Sequence, residues 1–229
     1  MSDLERVGAW GVQAAGPRAR MALAAWMALG ACGGGAAPQG GTASTPRIVQ
    51  PGAPGQATRT VRASDVVATR ANGYSEADVA FVQGMIPHHV QALVMTGLVR
   101  ERASSEALRS MALRMEISQQ DEIVAMERWL RERGEAVPDA RAAEHMMMPG
   151  MLTHDQMQRL ASAEGSAFDR LFLELMVQHH EGALMMVERL FATAGAAEEI
   201  QIRELATDVD IDQRVEISRM RGILEGDSR

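Results

Sequence analysis

The sequence predicts an all-α protein: a four-helix bundle made of two duplicated helical hairpins with a longer crossover between them. Three observations predict it. Residues 64 to 229 carry long apolar patterns of helical period and almost no β-branched alternation or hairpin dipeptides. Asp78, Phe81, Met85, His88, His89, Ala92 and Met95 recur 91 positions later as Asp169, Phe172, Met176, His179, His180, Ala183 and Met186. Ile117, Gln119, Glu122, Ile123 and Met126 recur 94 positions later as Ile211, Gln213, Glu216, Ile217 and Met220. The repeated unit is therefore a pair of helices.

The N-terminal segments precede the bundle. Arg18 and Arg20 stand before an apolar run from Met21 to Leu29, which is too short to remain as a bilayer-spanning helix and has the length of a secretory leader. Leu29-Gly30-Ala31-Cys32 follows and resembles a bacterial lipobox, so residues 1–31 are expected to be a lipoprotein signal peptide and Cys32 the point of lipid attachment. Cys32 is the only cysteine, which excludes a disulfide framework and thiolate metal clusters. Residues 32–63 are rich in Gly, Ala, Pro, Ser, Thr and Gln without periodic apolar positions and read as a flexible tether. The chain carries a formal charge of -7, and removing residues 1–31, with three arginines and two acids, leaves -8. Such a surface does not suit nucleic acid.

Residues 64–229 form the predicted bundle. Ser75 with Asp78 caps a first helix running to about Arg102, and Leu108 to Arg133 forms a second, ended by Gly134. A crossover rich in Pro and Met follows. Thr153 with Gln156 caps a short helix, Glu164 to about Phe191 forms the next long helix, and Ala197 to about Glu225 the last. Neither hairpin can bury its apolar stripe alone, so the two pack together in a ferritin-like arrangement.

Four of the six histidines lie in the two repeated pairs. At about 100° per residue, Phe81, Met85, His88, His89, Ala92 and Met95 fall within an arc of roughly 120°, and the second repeat copies that arc. An ordinary core stripe with methionine as gap filler would look similar for one histidine. Burying four imidazoles is costly unless every ring nitrogen has a partner, which points instead to a metal or cofactor. Neutral imidazole with thioether is a soft donor set matched to copper(I) or silver(I). The expected ligands are Met85, His88, His89, Met95, Met176, His179, His180 and Met186. The tract His145, Met146, Met147, Met148, Met151 and His154 in the crossover is a candidate second site.

Glu122 lies on the same helical face as Met111, Met115, Met126 and Trp129, and Glu216 on the face of Val209, Met220 and Ile223. A carboxylate facing a core needs a cation or strong donors. Glu122 and Glu216 are therefore expected to orient the histidines or to join the metal, with Met126 and Met220 beside them; the alternative is a rotation that turns both acids to water. Pro87, just before the first His pair, removes a backbone donor and should kink its helix, whereas Gln178 stands in the second copy.

Met85-Ile-Pro-His-His, the Met148-Pro-Gly-Met151 tract, and Phe168-Asp-Arg-Leu-Phe-Leu through His179-His-Glu-Gly-Ala183 resemble domain-of-unknown-function family 305 over roughly residues 74 to 225. The resemblance implies a ferritin-like fold of two similar hairpins in a mostly secreted bacterial family, some members of which are linked to periplasmic copper binding. It carries directly to Met85, His88, His89, Met176, His179 and His180. The sequence thus points to a lipid-anchored protein of the cell envelope, extracytoplasmic, that captures or buffers copper. Its expected partners are the metal ion, the membrane through the lipid only, and a copper-transfer protein or a second copy of the chain. The rival readings are a ferritin-like di-metal oxidoreductase using iron, a haem-binding protein with His and Met axial ligands, and a structural bundle. Against the first, Glu-x-x-His is absent, as is His-Glu-x-x-His; against covalent haem, there is no Cys-x-x-Cys-His.

Overall fold

The computed structural model describes residues 47–66, 73–139 and 148–226. Five helices follow a small hairpin: β1 (Arg47–Gln50), β2 (Arg59–Arg62), α1 (Glu76–Arg102), α2 (Glu106–Glu132), α3 (His154–Ser162), α4 (Gly165–Ala192) and α5 (Ile200–Gly226). α1 packs on α2 and on α4, α4 packs on α5, and α2 and α5 barely meet. The four long helices form the bundle, and α3 rests against α4 and α1.

Helix ends follow local chemistry. Ser75 and Asp78 make a reciprocal capping box at α1, as do Thr153 and Gln156 at α3, and the Ser105 hydroxyl accepts from Leu108 N at the start of α2. α1 runs unbroken through Pro87. α5 begins at Ile200 rather than at Ala197, because Ala197 sits in a turn with φ of 53° and its N–H donates outside the helix.

Part of the segment read as flexible tether is ordered. β1 and β2 pair antiparallel, with Ile48 opposite Val61 and Val49 opposite Thr60. These β-branched residues flank a loop whose tight turn runs Ala53-Pro54-Gly55-Gln56, a pattern that the overall composition concealed. The Gln50 amide donates to the carbonyls of Phe191 and Thr193, satisfying two acceptors at the end of α4, and Ala53 joins the core. The hairpin belongs to the same compact unit as the helices, so the folded part reaches back at least to Arg47.

The core has two halves. One contains Phe81, Val82 and Met85 of α1, Met126 and Leu130 of α2, Met186 and Leu190 of α4, and Ile202 and Val209 of α5. The other contains Met95 and Val99 of α1, Leu108 and Met115 of α2, Phe172 and Met176 of α4, and Ile217 and Met220 of α5. The first half of α1 thus meets the last half of α4, so these helices run antiparallel and the repeats are related by a two-fold pseudosymmetry. Both histidine pairs lie between the apolar halves.

The repeated aspartates lock this arrangement. Asp78 accepts from Ser75 N and, across the bundle, from Ala197 N in the α4–α5 turn at 2.7 Å. Asp169 accepts from Ser104 N, Ser105 N and the Ser104 hydroxyl in the α1–α2 turn. Each hairpin therefore supplies a buried carboxylate to the turn of the other. Hydrogen bonds to charged groups contribute about 1.5–3 kcal/mol each, and losing one strands buried N–H donors. Asp78→Ala and Asp169→Ala should each lower stability in denaturant melts by about 2–4 kcal/mol. A loss below ~0.5 kcal/mol for either would contradict the shared role.

Candidate metal centre

The antiparallel crossing of α1 and α4 brings the two His pairs together at the centre of the bundle. The rings of His88 and His179 face each other with centroids 3.8 Å apart and planes tilted by 39°, and those of His89 and His180 flank them at 6.5 and 6.2 Å from their own neighbours. All four imidazoles are at most 1% exposed.

Three of the rings have one nitrogen fixed. Glu122 on α2 accepts from His89 Nε2 at 2.5 Å, and Glu216 on α5 accepts from His180 Nε2 at 2.6 Å. His88 Nε2 donates to the Pro149 carbonyl at 3.0 Å. A proton held on Nε2 leaves Nδ1 as an open lone pair, the form in which neutral imidazole binds a metal. The Nδ1 atoms of His88, His89, His179 and His180 have no hydrogen-bond partner, and neither does Nε2 of His179. An unsatisfied buried polar atom costs about 1–3 kcal/mol, so five in one layer are a large burden for a fold whose net stability is of order 5–15 kcal/mol. Donors that accept soft cations are thus present, buried and unengaged.

Burial also keeps the stacked pair uncharged. It drives the His88 imidazole down to about 3, with His89 adding to the fall and the Pro149 carbonyl opposing it. His179 lies well below the ordinary histidine range through burial first and then the neighbouring His88, His180 and His89.

The sequence-predicted thioethers divide between the two core halves. Met85, Met126 and Met186 lie on one side of the histidine layer and Met95, Met176 and Met220 on the other. Among the described residues, no three His, Cys, Asp or Glu side chains converge as a metal cage. The imidazoles form a layer rather than a ready-made cluster, and any soft-metal site here would draw on sulfur as well.

The crossover separates from the expected second site. His145, Met146 and Met147 lie outside the described residues. His154 is exposed in the first turn of α3, its Nε2 2.8 Å from the Gln158 amide nitrogen. Met148 to Met151 form a tight turn in which Met151 N donates to Met148 O at 3.2 Å, with Pro149 second and Gly150 third at φ of 79°. That turn lies as a strap on the α1–α4 crossing. The Gln91 side chain takes both the N–H and the carbonyl of Leu152, and Gly150 lies against Gly182 so closely that a Cβ on Gly150 would come within 2.6 Å of Gly182 Cα.

Sequence reasoning quoted Pro149, Gly150 and Gly182 only as motif residues without a role and passed over Gln91. The glycine within the second helical repeat was a legible signal, since a helix-interior glycine commonly marks a close approach. Gln119 and Gln213, buried one turn before the two glutamates, were visible only as repeat identities.

These features define a class: a pseudosymmetric bundle of two helical hairpins that encloses a layer of imidazole donors backed by carboxylates. The chain belongs to the DUF305 family, a domain of unknown function, whose family model matches residues 78–224. A DUF305 fragment from Deinococcus radiodurans is similar at 31% identity and a TM-score of 0.59, over 66% of this chain and 97% of that one. A putative secreted DUF305 protein from Streptomyces coelicolor aligns at 27% identity and 0.58, over 66% and 93%. CopM in its Cu(I)-bound form aligns at 27% identity and 0.54, over 65% and 96%, and CopM has also been solved with Cu(II) and with silver. No curated protein matches the chain by sequence.

The depressed histidines set a pH dependence for the metal-free protein. His88 and His179 remain neutral when folded, whereas in the unfolded chain they protonate below about 6.5, so unfolding takes up protons there. The His88 contribution is intact above that pH and is lost as pH falls toward about 3, at about 1.4 kcal/mol per pH unit, and His179 adds to the loss in the same direction. Denaturant melts between about pH 7.5 and 4.5 should show this slope, and His88→Leu with His179→Leu should flatten it. An unchanged slope in the double variant would refute the assignment.

Proposed function

We propose that this protein is an extracytoplasmic soft-metal-binding protein that captures or buffers copper(I) through the buried histidine layer, anchored by a lipid on Cys32. The observation that carries this reading is the set of five buried ring nitrogens without partners, three of them left open because a carboxylate or carbonyl holds the opposite nitrogen. A neutral donor set of imidazole and thioether is matched to a monovalent soft cation, and no thiol is needed. His88, His89, His179 and His180 would hold the metal, with Met85, Met95 and Met176 as candidate sulfur donors. Glu122 and Glu216 would orient His89 and His180. The likeness to CopM, solved with Cu(I), Cu(II) and silver, favours copper over iron or haem.

The di-metal oxidoreductase needs Glu122 and Glu216 as direct ligands, and each carboxylate is engaged by its own histidine. Cys32 and the leader lie outside the described residues. The lipid anchor rests on the Leu29 to Cys32 motif, and the putative secreted relative agrees with an extracytoplasmic location.

Replacing His88, His89, His179 and His180 together should weaken copper(I) binding, read against a competing chelator under anaerobic conditions, by at least about a hundredfold. Retention of parental affinity by a folded quadruple variant would rule out the layer as the site. Separately, Cys32→Ser should move the protein from the membrane to the soluble fraction with its metal affinity unchanged. Persistent membrane association would remove the lipid anchor from the proposal.

A further inference from the structure

The two halves of the bundle differ at one place that the histidine layer does not explain. Gly84, one turn before His88, corresponds by the 91-residue shift to Leu175. A Cβ placed on Gly84 would lie 3.2 Å from Met148 Sδ and 3.2 Å from Met186 Cε, so these two atoms are no more than twice that distance apart. The missing side chain leaves a groove of about 460 Å³ between α1 and α4, lined by Phe81, Gly84, Met148, Pro149, Met186 and Leu190. Arg189 also lines it, and no carboxylate does. On the other side Leu175 fills the glycine position, and Met95, the counterpart of Met186, is completely buried.

Resting on the reading of the histidine layer as a soft-metal site, we infer that Met148 and Met186 form a separate thioether station for a soft monovalent cation at the surface, outside that layer. A groove with an arginine and no carboxylate has nothing to hold a hard divalent ion, whereas polarizable sulfur binds copper(I) or silver(I) without charge compensation. Met148 is half-buried and Met186 is 9% exposed, so both are nearer to solvent than the fully buried Met85, Met95 and Met176. The strap connects the station to the layer, because Met148 is followed by Pro149, whose carbonyl accepts from His88. Ordinary core filling would account for two methionines in an apolar groove. It gives no reason why leucine would not serve equally well, and that difference is measurable.

The test is titration of silver(I) into the full chain carrying ¹³C-methyl methionine, with the Met148 and Met186 resonances assigned from their leucine variants. Leucine nearly conserves volume, so folding is retained. The Met148 and Met186 methyls should shift together. In Met148→Leu the response of Met186 should need roughly tenfold more silver or more, because one of two tethered donors is gone. In Met186→Leu the response of Met148 should weaken likewise. Silent Met148 and Met186 methyls, or an unchanged Met186 response in Met148→Leu, would overturn the station.

The quadruple histidine variant separates the two readings. If its Met148 and Met186 shifts persist while tight binding is lost, both stand. If tight binding persists, the histidine layer fails and the station is judged on its own shifts. Should that variant not fold, His179→Leu takes its place.

Discussion

The stack of His88 on His179 is the constraint on which the rest of the architecture depends. Two neutral rings with centroids 3.8 Å apart can be placed only where two backbones come close, as α1 and α4 do here. The flanking rings then fall toward the outer helices, where Glu122 and Glu216 meet them. A polar layer through the middle of a bundle splits its apolar core, and each half must close by itself. Phe168 and Phe172 with Leu108 fill one end, and Trp129 with Tyr74, edge to face at 5.4 Å, helps to close the other. The reciprocal turns held by Asp78 and Asp169 stop the hairpins sliding along each other, which would unstack the rings.

Pseudosymmetry is broken by the crossover. The strap lies across the α1–α4 face, where the second repeat has Gly182 in place of Gln91. Gln91 binds the strap with its side chain, and Gly182 admits the strap by having none. The consequence reaches the centre. His88 has its Nε2 occupied by the strap carbonyl, whereas neither nitrogen of its partner His179 makes a hydrogen bond of normal geometry. The two halves of the histidine layer are therefore chemically different although their local sequences match.

Much of this was legible in the sequence, for an identifiable reason. Helical periodicity reports which side chains share a face, so the repeat pattern points the four histidines to the interior and puts the two glutamates on an apolar stripe, while a rotation that turns both acids to water stays open. Periodicity does not report which face of another helix they meet. The stacking of His88 on His179 rather than on a pair-mate, and the division of Met85 from Met95 between core halves, follow from the antiparallel α1–α4 crossing, which no local pattern encodes. The hairpin at Arg47–Arg62 was hidden because its strands are four residues each within a stretch dominated by Gly and Pro. Asp78 was recognised as a cap, and its second role, toward Ala197, joins residues 119 positions apart.

The chemistry of the layer follows from where its protons are held. A histidine whose Nε2–H is directed at a carboxylate has a more basic Nδ1 and a fixed ring plane, so Glu122 and Glu216 set both the orientation and the donor strength of His89 and His180. A backbone carbonyl does the same for His88, more weakly, because a neutral acceptor polarises the ring less than a carboxylate does. Neither ring nitrogen of His179 makes a hydrogen bond of normal geometry, and only the His88 backbone lies near enough to favour its protonated form. The four imidazoles thus form a graded series rather than four copies of one ligand: two strengthened by carboxylate, one by carbonyl, one unassisted. A duplicated sequence alone would give pairs of equal donors, and it is the single crossover strap that makes the middle two unequal.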